Sequence, residues 1–153
     1  MDGACFKSGK SWVIRIDPGE DVLKCIRKFI REKGIEQAMV VNGYGTFSRV
    51  SLHWVTHNRF PTDNRFEEWE GGIELMGMSG LIIEGEPHIH FTASTPEGAF
   101  GGHLEEGCIC YVLCEVTIME LDGGKMKRER AAIAKDFLGR PAMGPRLVFS
   151  REE

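Results

Sequence analysis

Apolar and polar residues alternate through "SWVIRI", residues 11–16, and that two-residue period predicts a strand. The period then changes. Across "DPGEDVLKCIRKFIREKG", residues 17–34, Val22, Leu23, Ile26, Phe29 and Ile30 recur at helical spacing and give one apolar face. Acidic residues lead this segment, basic residues crowd its end and Gly34 closes it, a charge order that suits the helix dipole. Beyond Gly34 the strand period returns. "QAMVVNGYGTFSRVSLHWVTH" reads as a long strand, a glycine-marked bend and a second strand, and "RFEEWEGGIELMGMSGLII" as two or more strands broken by glycines. "PHIHFTAS", "AFGGHL" and "CICYVLCEVTIMEL" extend the β-run. The last segment, 124–153, mixes a charged stretch with weak helix or coil and leaves room for a closing strand. One early helix against many consecutive strands predicts an α+β fold: a curved, mostly antiparallel β-sheet, one main N-terminal helix and a small C-terminal segment.

Within this β-run, "HIHFTASTPEGAFGGH" holds three of the five histidines in residues 88–103. Alternate residues of a strand share a face, so His88 and His90 point the same way. "TPEG", residues 95–98, carries Pro second and Gly fourth, a type I turn signal. A hairpin closed by Thr95 and Gly98 places His103 opposite His90 and Glu105 opposite His88. Three imidazoles and a carboxylate then share one face. Gly101 and Gly102 are expected to leave room for a water or substrate beside them. A set of three histidines leaves coordination positions open, as catalytic zinc sites do. Imidazole also suits copper, iron and nickel. The expectation is a divalent transition metal on His88, His90 and His103, zinc first among the candidates, with Glu105 the nearby acid or base.

Composition narrows the function classes. The chain has 153 residues, 42% hydrophobic and 27% charged, enough for one folded domain spanning 1–153 without a disulfide framework. Five cysteines and no apolar leader lead to the expectation of reduced thiols in the cytoplasm, and no apolar run is long enough for a membrane span. A net charge of −4 disfavours nucleic-acid binding by overall charge, although a local basic patch is open to it.

"PHIHFTAS" followed by "AFGGHLEEGCI" resembles the signature of the PPC domain, the plants-and-prokaryotes-conserved domain, which plant members carry behind AT-hook motifs. The resemblance continues through "IDPGEDV", "VVNGYGTFSRVSL" and "IELMGMSGLI". It implies a curved antiparallel sheet, a homotrimer, a DNA-binding or regulatory role, and metal-type positions at His88, His90 and His103. An AT-hook needs an Arg-Gly-Arg-Pro core, and the chain offers only Leu138-Gly139-Arg140-Pro141. "HIHF" with "FGGH" is also similar to the zinc-binding stretch of acetolactate decarboxylase. That likeness implies a metal-dependent, lyase-like enzyme that stabilises an enolate of a small carbonyl or carboxylate substrate. The decarboxylase's further catalytic carboxylates and arginine find no motif here.

Four other features have plainer readings. Cys108, Cys110 and Cys114 fall on one face of an apolar strand and read as small core hydrophobes. His53 and His57 read as surface positions of a strand. "NGYGTF" lacks the lysine of a phosphate loop and reads as a bend, with Asn42 or Arg49 the residues that could reach a pocket. "KMKRERAAIAK", the only basic cluster, reads as a solvated face.

Overall fold

The computed structural model describes residues 1–150 and shows the α+β architecture that the periodicities predict. In chain order the elements are β1 (Lys7–Ile16), α1 (Val22–Lys33), β2 (Gln37–Val55), β3 (Asn64–Ile83), β4 (Glu86–Thr95), β5 (Gly98–Leu104), β6 (Ile109–Asp122), β7 (Lys125–Lys135) and β8 (Pro141–Ser150). The first six strands form one antiparallel sheet in the order β1-β6-β2-β3-β4-β5, and β5 returns to pair with β2. No helix among the described residues is long and apolar enough to cross a membrane.

Helix α1 starts later than the acidic lead suggests. Asp21 is its N-cap, with a carboxylate oxygen 3.0 Å from the Lys24 N–H, so Asp17 and Glu20 stay in the preceding turn. Gly34 ends the helix at φ 65°, a left-handed conformation that a Cβ disfavours. Val22, Leu23, Ile26 and Ile30 are buried against one face of the sheet, where Phe47, Val50, Leu52, Ile89 and Ile118 meet them in a single core. Cys108, Cys110 and Cys114 belong to that core, as their apolar surroundings predict. Burial pushes the Cys108 and Cys114 thiols up to about 12, so neither is a thiolate at neutral pH.

Two expectations need correction. The strand-bend-strand at "NGYGTF" is one continuous strand of 19 residues, curved by bulges at Val40/Asn42, Gly45/Phe47 and Phe47/Arg49. Likewise "RFEEWEGGIELMGMSGLII" is one strand of 20 residues with bulges. A bulge leaves a residue unpaired and bends the strand, but the ladder resumes beyond it, so glycine and mixed polarity do not mark strand ends here.

In the C-terminal segment the closing strand is present as β8, and in place of helix or coil the charged stretch forms β7, which pairs with it in a second, two-stranded sheet. Its weak local pattern reflects a hairpin with much of both faces exposed. Residues 151–153 lie outside the described residues. Gln37 ties this hairpin to the main sheet. Its amide donates to the carbonyls of Leu121 (2.6 Å) and Gly124 (2.5 Å) and accepts from the Met126 N–H (3.1 Å). The arrangement fixes where β7 leaves β6 and carries the basic run back toward β4.

Candidate metal centre

The hairpin register follows the turn chemistry. Thr95 pairs with Gly98 and His90 with His103, as a hairpin closed at the TPEG turn predicts. His88 and His90 stand on one face of β4, while Ile89 and Phe91 are buried on the other. The His88 and His90 Nε2 atoms are 3.2 Å apart. The His103 ring lies edge-on to both, with centroids 4.6 Å from His88 and 5.4 Å from His90. The three histidines are therefore brought together.

Glu105 takes a different place from the one predicted. β5 ends at Leu104, which has already crossed to pair with Leu52 of β2, and the Glu105 N–H donates to the Ser51 carbonyl. Having left the β4 ladder, Glu105 does not sit across from His88, whose partner is Leu81 of β3. Its Oε1 instead faces Nδ1 of His103 at 3.0 Å and Nδ1 of His53 at 2.6 Å. Gly101 and Gly102 also have another reason. A Cβ would stand 2.4 Å from the Phe91 carbonyl oxygen at Gly101, and 2.7 Å from that of His53 at Gly102. Close approach of three backbones, and not space for a ligand, requires them.

The same crossing brings in a residue that the sequence left on a surface strand. His53 pairs directly with His103, and their rings stack at 4.5 Å. His53, His103 and Glu105 present ligand atoms within 4.8 Å of one another. No local signal marked His53, because β2 and β5 are about fifty residues apart and their pairing covers two residues. His57 lies beyond the end of β2, where its Nδ1 accepts from the Arg59 N–H, and stays apart from the cluster.

His53, His103 and Glu105 form a donor set that fits a divalent transition ion. In neutral imidazoles the nitrogen facing a carboxylate carries the proton, so Glu105 holds His53 and His103 with Nε2 bearing the lone pair. Burial of the ring pushes His88 down to about 4, followed by the charge of Arg128 and then the neighbouring imidazoles. His103 is lowered too, first by burial and then by His53, against the opposing pull of Glu105. Both rings are neutral at pH 7 and their lone pairs are available.

A pH dependence follows. The unfolded chain protonates these histidines near the ordinary 6.5, before the folded chain does. The contribution of His88 to stability is therefore complete above about pH 6.5 and is lost as pH falls toward about 4, and that of His103 declines in the same direction. Urea midpoints of metal-free protein between pH 7.5 and 4.5 are expected to decline, and His88→Ala is expected to flatten the decline. Equal slopes in both proteins would contradict it.

One further feature borders the cluster. A cavity of about 340 Å³ next to His90 is lined by Asn42, Ser79 and Thr92 among others. Arg49, the other candidate from the bend, is held by Glu68 at 2.5 Å on the exposed side.

Comparison with known proteins places the fold. A plant- and prokaryote-conserved (PPC) protein of Pyrococcus horikoshii is 28% identical and superposes with a TM-score of 0.72, covering 94% of this chain and 97% of that one. The metal-containing protein AF0104 of Archaeoglobus fulgidus is 25% identical with a TM-score of 0.71, covering 93% and 97%. Acetolactate decarboxylase of Bacillus subtilis, at 16% identity and a TM-score of 0.53 over 72% of this chain and 52% of that one, shares the fold alone. The bifunctional protein GlmU of Synechococcus sp. (strain JA-2-3B'a(2-13)) is 23% identical over 121 residues, 78% of this chain and 18% of that protein. The chain thus spans less than a fifth of the curated relatives it matches. Residues 3–122 match the Plants and Prokaryotes Conserved (PCC) domain, so the chain belongs to that family.

Proposed function

We propose that this PCC-domain protein binds one divalent transition ion, zinc first among the candidates, through His88, His90 and His103, and uses it to hold a small carbonyl or carboxylate ligand. The convergence of three imidazoles from β4 and β5 carries the reading. The metal-containing description of the Archaeoglobus relative supports it. Such an ion supplies Lewis-acid polarisation of a ligand oxygen. The chain's own residues supply the rest. Glu105 fixes the tautomers of His53 and His103, and as the carboxylate of the cluster it is the candidate proton carrier. Asn42, Ser79 and Thr92 offer uncharged hydrogen-bonding groups beside His90.

Residues Lys125, Lys127, Arg128 and Arg130 on β7 favour a second reading, contact with the phosphates of duplex DNA, which is the role the family resemblance implies. Trimerisation is the assembly implied by the same resemblance. The exposure of Tyr111, Val112 and Leu113 in a row on β6 supports it.

One preparation tests these readings: protein purified without a histidine tag. Metal analysis is expected to give roughly one ion per chain, and a content near zero would remove the proposal's basis. On immobilised duplex DNA, retention that falls steeply with salt would support the phosphate reading, and flow-through at low salt would end it. Sedimentation of the same sample reads the assembly, where a monomer would exclude the trimer.

A further inference from the structure

The cation nearest the histidine cluster comes from outside the part of the chain that matches the family. β7 begins at Lys125, beyond residue 122, and the Gln37 anchor directs it so that Arg128 reaches His88. One guanidinium nitrogen lies 3.4 Å from His88 Nδ1. Arg15, Arg27, Arg49, Arg65 and Arg140 each grip a carboxylate. Arg128 has no such partner among the described residues, and its residue is exposed. An exposed guanidinium left free of carboxylates beside a cluster of imidazoles calls for an account.

We infer that Arg128 is the anchor for the carboxylate of the ligand held at the histidine cluster, and that the ligand is a small 2-oxo or 2-hydroxy acid. This rests on the metal-binding reading given above. A guanidinium only donates, so it is drawn to the lone-pair nitrogen of His88. A neutral imidazole has one such nitrogen. Once that lone pair serves an ion, from either ring position, His88 has nothing left to offer Arg128. The guanidinium is then a cation without a partner at the rim of the site, where its planar fork matches a carboxylate in bidentate fashion.

The rest of the surroundings sets the ligand's remaining character. With its carboxylate on Arg128, the oxygen on the adjacent carbon is the group within reach of the cluster, which selects 2-oxo and 2-hydroxy acids. The cavity beside His90 is lined by Val41, Asn42, Met78, Ser79, Phe91 and Thr92 and holds no charged side chain. It therefore suits a short, neutral tail. A second charge on the ligand would find no partner there.

The test uses zinc-loaded full-length protein with pyruvate and its methyl ester as probes, measured by titration calorimetry, with zinc per chain determined for every sample. Wild type is expected to bind pyruvate at least about tenfold more tightly than the ester, the discrimination typical of a charge-assisted hydrogen bond. Arg128→Ala is expected to lose that preference while keeping its zinc, and Arg128→Lys to recover part of it. Arg130→Ala, which removes the same charge two residues further along β7, is expected to keep it. Equal losses in the two alanine variants, or an unchanged preference in Arg128→Ala, would overturn the assignment. Wild type that binds neither probe would overturn it as well. Absence of zinc from wild type would instead fail the metal-binding reading, and this inference with it.

Discussion

Replacing His90 with alanine is expected to lower metal affinity by more than about 100-fold and to leave the fold intact. The size follows from comparison: removing a group that merely orients a ligand typically costs 10–100-fold, so losing a ligand costs more. His90 is the middle of the three proposed ligands. Its Nε2 is 3.2 Å from that of His88, and it stands opposite His103 in the ladder. The change leaves only His88 and His103 of the three. The side chain is exposed and belongs to the face away from the core, so alanine there opens no cavity. Metal per chain after dialysis against a weak chelator, together with a thermal melt of the metal-free protein, separates the two effects. Retention of metal at the wild-type level would show that the ion, if any, sits elsewhere, with His53, His103 and Glu105 the next set to test.

The largest loss of stability is expected from Phe47→Ala, about 3–5 kcal/mol. Phe47 is fully buried, on the bulged part of β2 where β3 and β6 flank it. Its ring meets Phe91 edge-on at 5.8 Å. Alanine removes the ring and the aromatic pair together and leaves a cavity that the sheet cannot close without moving β4. For a chain of this length the loss corresponds to a fall in Tm of roughly 6–20 °C. Phe91 is flanked in sequence by His90, so the variant is also expected to hold metal less tightly. A melt within about 2 °C of wild type would show that the site collapses around the missing ring.

How far these features were legible from the sequence depended on the range of the interactions that define them. Helix α1 was plain because five apolar residues repeat at one spacing and Gly34 ends it. The β4–β5 hairpin was equally plain, since the turn at Thr95–Gly98 sets a register that carries His90 to His103. Glu105 and His53 were misplaced for one shared reason. β5 leaves β4 for β2 at His103 and Leu104, a change of partner that no pattern within either strand encodes. The hairpin of β7 and β8 was hidden because most of both its faces are exposed, so its residues do not alternate in polarity.

The strand order has a consequence for solubility. Among the described residues β1 leaves its outer margin unpaired along its whole length, whereas β5 is tied to β2 at His103 and Leu104. Such a margin is a template for stacking with other chains. Here it carries Lys7, Lys10 and Arg15, and an irregularity between Ser8 and Ser11 disturbs its spacing. Like charges would meet like charges in any head-on approach of two such borders, and the offset backbone would spoil a second ladder. The border that the topology cannot close is thereby guarded against runaway aggregation.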